Sequence, residues 1–568
     1  MMKMATNIKR IITNWGLRKI SAIALVFLFC VINKQAISQV APQKYWVQFT
    51  DKNNSPYSIS NPSVYLSQRA IDRRAQQNIP ITAQDFPVNP IYIQTVKQTA
   101  SVTVLLTSKW LNGMVIQSTD TLGMNKVKNL PFIDPASFIK VAIPPTGIES
   151  IKIKETPYID NLFKKSTVLT TNYGLSETQN KMIHVDYLHE MGYTGKGMIV
   201  AVLDAGFSKA DITPVLESVF NENRILSTWD FVLNQAVDFS KHSNHGTSVL
   251  TCMAANSPDF YVGSAPDASY LLLRTEDADT ENIIEEYNWV AGAEFADSAG
   301  ADVFNTSLGY TEFDDVSKSH TYADLDGNTT PITIGADIAA SKGILVINSA
   351  GNSGNKSWRY IGAPADGDSV LTIGAVYSNR SVTAFSSRGP SFDGRVKPNV
   401  MAMGGAVPMP NEENAVNYID GTSFSGPILT GAAACLWQSR PTYSSMEIYH
   451  AIEESADRYS MPNDDYGYGI PNVGLAYYCV TGIDNLTTHG NSIIAYPNPT
   501  NSYAYFPVTS SNIEIIITNL LGKVVYSTKS ATIRNESCVV DFSSFPNGVY
   551  IVELKSAISS QLVRLVKN

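Results

Sequence analysis

The order of apolar and polar positions divides the chain into three stretches of different character. Between about 40 and 168, short strand-like runs at 44–49 and 102–106 enclose a polar, helix-compatible stretch at 64–78 that carries Arg69, Arg73 and Arg74. From about 175 to 480, apolar runs of strand length at 198–203, 270–273, 303–305 and 344–347 alternate with helical patterns. Within 281–299, Ile283, Ile284, Tyr287, Val290 and Ala291 recur at helical spacing, which marks one apolar face. Strands that are apolar throughout and alternate with helices predict an α/β fold, a parallel sheet covered by helices on both faces. A site in such a sheet lies at the carboxyl ends of the strands. Between about 484 and 568 the period shortens again. Runs at 513–517, 523–526, 539–542 and 549–554, split by Leu521-Gly522 and Pro546-Asn547-Gly548, predict a small all-β sandwich. The segment 475–491 reads as its linker.

Composition narrows the class. A chain of 568 residues that is 44% hydrophobic and 16% charged has apolar material for large cores, which excludes a mostly disordered protein. The net charge of −9 argues against a nucleic-acid partner. Residues 1–38 contain six Lys or Arg and no acid, so without them the net charge is −15. This basic start precedes an apolar run at 20–32 and the small-x-small site Ala36-Ile37-Ser38, the pattern of a secretory signal peptide over 1–38. The run is shorter than the roughly 20 residues of a membrane span. After cleavage four cysteines remain, Cys252, Cys435, Cys479 and Cys538, with three pairings open. Cys252 and Cys435 sit in apolar helix-like runs and read as free, buried hydrophobes. The expected parts are thus 1–38, 40–168, 175–480 and 484–568. Histidine is absent before His184, so 40–168 is a poor place for chemistry.

Three segments of the middle part carry candidate chemistry. Asp204 directly follows the apolar run Val200-Ala201-Val202-Leu203, His245 opens a helix-like run, and Ser423 heads the apolar helix in Gly421-Thr422-Ser423-Phe424-Ser425-Gly426-Pro427. Each alone is more often a turn or cap residue. Together they supply a nucleophile, a base with a pKa near neutrality, and a carboxylate that fixes the tautomer of the base. Their chain order is Asp, His, Ser, and no G-x-S-x-G elbow surrounds Ser423, which argues against an α/β-hydrolase esterase.

At these blocks the sequence resembles the subtilisin-like serine peptidases, the subtilases. The match runs through Val200–Gly206, through His245, Gly246, Thr247, Val249 and Ala254, and through Gly421–Pro427. It implies that Asp204 orients, His245 acts as general acid and base, and Ser423 attacks. Ser349-Ala350-Gly351-Asn352 resembles the family's oxyanion block, which implies that Asn352 is an oxyanion donor. Ser307-Leu308-Gly309 resembles its substrate-binding edge. Leu250-Thr251 and Asn399 depart from the family pattern. The resemblance further implies that 40–168 is a propeptide. The opening Tyr496-Pro497-Asn498-Pro499 and the turn Pro546-x-Gly548-x-Tyr550 resemble the type IX secretion sorting domain of Bacteroidetes proteins.

The expectation is a secreted or surface-exposed monomeric endopeptidase that acts on proteins or peptides and is handled by the type IX machinery. No cofactor and no catalytic metal are expected. A structural calcium ion stays open without an assigned position, and the segment Asp324–Asn328 reads as a polar turn. The rival reading is a non-catalytic surface binding protein on the same scaffold.

Overall fold

The computed structural model describes residues 43–142, 172–481 and the strands and turns within 500–567. The signal peptide, part of the expected propeptide junction and residues 482–491 of the expected linker lie outside the described residues, as does the side chain of Cys479, whereas 475–481 are not linker but part of a helix (Val473–Thr481) whose Val473 and Ala476 are buried in the central core.

The N-terminal region is a four-stranded antiparallel sheet built from β1 (Gln43–Gln48), β2 (Thr103–Ser108), β3 (Gly113–Ser118) and β4 (Ile139–Ala142), in the order β2-β3-β1-β4. Period-two alternation assigns its faces. Val47, Met114 and Ile116 pack with Val96 of α2 (Pro90–Thr99) and with Met124 and Val127 of α3 (Thr121–Lys128). Trp46 and Val115 point the other way, toward a helix of the central domain. The arginine-bearing stretch forms α1 (Gln68–Gln76), capped by the Ser67 hydroxyl, which accepts the Ala70 N–H.

The central domain is a seven-stranded parallel sheet. Its strands are β5 (Ile199–Asp204), β6 (Ile225–Asp230), β7 (Ser269–Arg274), β8 (Val303–Thr306), β9 (Leu345–Ser349), β10 (Val370–Val376) and β11 (Val400–Met403). Their order is β11-β10-β9-β8-β5-β7-β6, and every pairing is parallel. Alternate residues feed two cores. Val200, Val202, Tyr270 and Leu272 face α4 (His245–Ala254) and α7 (Thr422–Ser439). Ala201, Leu203, Leu271 and Leu273 face α5 (Ile284–Ala299) and α6 (Pro331–Ser341). This is the α/β architecture that the continuous apolar runs predict. Cys252 and Cys435 are free and buried in the first core, and Cys538 is free and buried in the C-terminal region.

Helix α5 departs from the single apolar face its sequence suggests. Ile284, Tyr287 and Ala291 pack under the N-terminal sheet, with Tyr287 stacked on Trp46 at 4.4 Å. Trp289, Val290, Ala293 and Ala296 pack on the central sheet. The helix is enclosed from both sides, and its acidic residues Glu294 and Asp297 are buried with it. They are satisfied by the N-terminal region. Arg73 and Arg74 reach the two oxygens of Asp297 at 2.5 and 2.9 Å, and Lys109 reaches it at 3.1 Å. Glu294 accepts from the Ser108 hydroxyl and from the Lys109 and Trp110 N–H groups. Burial alone would raise the pKa of Asp297. The charges of Lys109, Arg73 and Arg74 outweigh it and hold the carboxyl well below its ordinary range.

At the C-terminal end, a three-stranded and a four-stranded antiparallel sheet share one core, Ala504, Phe506 and Val540 from the first against Ile515, Ile517, Val552 and Leu554 from the second. This is the expected all-β sandwich. Among the described residues, no helix is long and apolar enough to cross a membrane.

Candidate active site

Asp204 is the last residue of β5 and is fully buried at the carboxyl edge of the sheet. Its Oδ1 accepts the Ala205 N–H at 2.7 Å and faces His245 Nδ1 at 2.8 Å. A carboxylate only accepts, so Nδ1 carries the proton and Nε2 is the basic nitrogen of the neutral ring. His245 is the first residue of α4, and its N–H is held by the Ser243 hydroxyl. Gly246 explains how the two elements come this close. Its N–H bonds to Gly206 O at 2.9 Å, and a Cβ there would stand 2.5 Å from that oxygen and 2.8 Å from the Phe207 ring.

Ser423 occupies the first turn of α7, where backbone N–H groups lack intrahelical partners. Pro427, four residues on, has no N–H to give to the Ser423 carbonyl. The Ser307 hydroxyl makes that bond instead at 3.0 Å, and the Ser423 hydroxyl donates to Ser307 O at 3.3 Å. The pair ties the start of α7 to the segment that continues β8. Ser307, Leu308 and Gly309 thus lie just past the strand end, beside the serine.

Asn352 follows Gly351, whose φ of +101° is a conformation glycine adopts without strain. Its Oδ1 accepts from the Thr422 N–H at 2.9 Å and the Thr422 hydroxyl at 3.0 Å. The amide orientation is fixed by chemistry, because a backbone N–H cannot bond to an NH₂ group. The Nδ2 donor is therefore the end of Asn352 left to serve the cleft. That cleft, of about 290 Å³, is lined by Ser423, Asn352, Ser307, Leu308 and Gly309, with Glu281, Glu312 and Lys356 supplying charge.

The structure thus brings all seven sequence-predicted residues to one end of the sheet. His242, a neighbour in sequence, stands aside with its Nε2 4.0 Å from Asp230. The Asp324 and Asp326 carboxylates are occupied within their own loop, by Thr321 and by Asn328 and Thr329.

The patterns that single out the triad overlook two features. One is the exchange between Ser307 and Ser423, signalled only by a proline five residues into the helix. The other is a group of three glutamates, Glu276, Glu281 and Glu285, whose carboxylate oxygens lie within 4.8 Å of one another. Burial first, and then the Asp204 carboxylate, pushes the Glu276 carboxyl up to about 7. Burial and the neighbouring Glu276 push Glu281 up to about 9. The signal for this group is the density of acids that follows the end of β7.

Three family models match the chain. The subtilase family matches residues 195–469, the peptidase S8 propeptide domain of Bacteroidota matches 44–156, and a secretion system C-terminal sorting domain matches 494–568. The last marks the chain for export through type IX secretion, to the cell surface or the medium. The chain is similar to subtilisin E of Bacillus subtilis (strain 168), with 31% identity over 307 residues, which are 54% of this chain and 70% of that protein. It is also similar to the serine protease AprX of the same strain, with 29% identity over 311 residues, 49% of this chain and 66% of that protein. A thermophilic serine proteinase of Bacillus sp. (strain AK1) is 28% identical over 303 residues, 52% of this chain and 65% of that protein.

Proposed function

The chain belongs to the subtilase family and is a serine-type endopeptidase, and from that premise we propose that it cuts peptide bonds through an acyl-enzyme carried by Ser423. The observation that supports this most is the 2.8 Å contact between Asp204 Oδ1 and His245 Nδ1, with the His245 ring 5.8 Å from that of Phe424, the residue after Ser423. The Ser423 oxygen attacks the scissile carbonyl carbon while its proton passes to His245 Nε2. The carbonyl oxygen takes up the displaced electron pair and receives hydrogen bonds from Asn352 Nδ2 and the Ser423 N–H at the head of α7. The C–N bond then breaks, and His245 returns the proton to the leaving amine. Water then attacks the ester carbonyl and gives a proton to His245, the C–O bond to Ser423 breaks, and His245 passes that proton to the Ser423 oxygen as the acid leaves. Asp204 holds the ring tautomer and stabilises the imidazolium throughout.

The N-terminal region, which matches a propeptide model, covers α5 on the face away from the sheet and is secured by buried ion pairs. It serves as the docked pro-segment that is shed on maturation, and the exported enzyme works as a monomer after its signal peptide is removed.

A fluorophosphonate probe tests the assignment. It is expected to label the matured protein at Ser423, and to label neither Ser423→Ala nor His245→Ala. A protein that stays unlabelled while correctly folded would favour the binding-protein reading.

A further inference from the structure

We propose that Glu276, Glu281 and Glu285 form an acidic subsite beside the cleft that receives the cationic side chain of a lysine or arginine in the peptide substrate. The inference rests on the peptidase reading and deepens it.

Four observations carry it. The three carboxylates converge, each offering an oxygen within 4.8 Å of the others. The neighbouring cations are committed elsewhere: Arg274 to Asp230 and Asp277, His320 to Glu286, and His245 to Asp204. Two buried polar atoms at this place have no hydrogen-bond partner, namely Glu285 Oε2 and Tyr310 Oη. Their residues are at most 1% exposed, and the Tyr310 hydroxyl lies within the field of all three glutamates. Buried polar atoms are rarely left unpaired, so this arrangement calls for a donor that arrives with a ligand. Finally, the group adjoins the catalytic residues. Glu281 lines the same cleft as Ser423 and Asn352, and Glu276 feels the charges of Asp204 and His245.

The chemistry of the site favours a substrate cation over a metal ion. A guanidinium presents five N–H donors, and an ammonium three, to acceptors spread over several ångströms. Calcium needs six to eight oxygens turned toward one point, whereas this group opens through Glu281 on the cleft that holds Ser423, where a peptide side chain arrives. Lys356 also lines the cleft. Burial and mutual repulsion favour the protonated form of the Glu276 and Glu281 carboxyls in the empty site, and a cation that binds there displaces their protons and restores the charges that hold it.

The test uses the matured enzyme and internally quenched peptides in which arginine, placed in turn at each position on the amino side of the cleaved bond, is compared with citrulline, its uncharged isostere. At one position the arginine peptide is expected to show a kcat/KM at least about tenfold higher than its citrulline partner, and Glu281→Gln and Glu285→Gln are expected to bring that ratio close to one. Glu281 is only half-buried, so its variant keeps the test alive should Glu285→Gln fail to fold. Equal cleavage of both peptides at every position would overturn the subsite and leave the peptidase reading standing. An arginine preference that survives both variants would overturn it as well. Terbium luminescence that is lost in Glu285→Gln, together with a flat arginine-to-citrulline ratio, would replace the substrate cation with a metal ion. Failure to cleave any peptide would bring down the peptidase reading and the subsite with it.

Discussion

Asp297 is the point at which the N-terminal region can be unfastened without touching the catalytic cleft. Its carboxylate has no exposure to solvent and is shared by Arg73, Arg74 and Lys109. Asp297→Asn keeps the shape and one acceptor but removes the charge, leaving three buried cations with one fewer counter-ion. Breaking a buried pair from one side costs about 3–5 kcal/mol. Arg74 keeps Asp85 at 2.9 Å and Lys109 keeps the Ser298 hydroxyl at 2.7 Å, so the lower end applies, about 3 kcal/mol, or on the order of 10²-fold in the docking equilibrium. The assay is native-state hydrogen exchange on β1 and β3 amides in a Ser423→Ala background, where maturation cannot intervene. Protection there is expected to fall by about two orders of magnitude in Asp297→Asn. Unchanged protection would refute the reasoning. So would an equal loss of stability in the mature enzyme without the region, because the mutation would then act on the central domain itself. The pH dependence carries a sign. A carboxyl whose folded pKa lies below its free value contributes stability at neutral pH and loses it as pH falls through the lowered pKa. Docking through Asp297 should therefore persist through mildly acidic conditions and yield only below the ordinary carboxylate range.

Further outcomes are expected elsewhere. Asn352→Ala should reduce kcat by about 10²–10³ with little change in KM, since it removes a donor used only by the developing oxyanion; steady-state kinetics on a quenched peptide would check this, and a loss confined to KM would contradict it. Gly246→Ala forces a methyl group to within 2.5 Å of Gly206 O and should lower stability by about 1–3 kcal/mol, measured as a drop in Tm, with activity falling as the Asp204–His245 contact opens. Lys397→Met should destabilise the fold, because the buried ammonium serves the Gly367 and Val370 carbonyls, Thr372 and Asn399 together, and each acceptor left dry costs about 1–3 kcal/mol; denaturant midpoints would show it.

The parts that sequence revealed are those governed by local periodicity. Strands such as 198–203 and 270–273 are apolar throughout because both faces are covered, so the parallel sheet and its carboxyl edge could be read directly. The placing of Asp204, His245 and Ser423 at one end of the sheet could be read only from the three segments together, since each residue alone is an ordinary strand end or helix start. What escaped depends on contacts between segments far apart in the chain. Helix α5 shows a single apolar stripe in sequence but is buried on two sides, because the N-terminal sheet covers what would otherwise be its wet face. Its Asp297 and Glu294 meet Arg73, Arg74 and Lys109 from more than 180 residues upstream, a pairing no local pattern carries. The glutamates at 276, 281 and 285 stand at no helical or strand spacing that would join all three, and only the fold brings their oxygens together.

The most direct test of the central claim compares wild type with Ser423→Ala, each produced without residues 1–38. Intact mass would be followed over time, with casein hydrolysis measured in parallel. Wild type is expected to shed its N-terminal region and degrade casein, while Ser423→Ala stays full length and inert. Equal casein hydrolysis by both proteins would contradict it, since Ser423 could not then be the nucleophile.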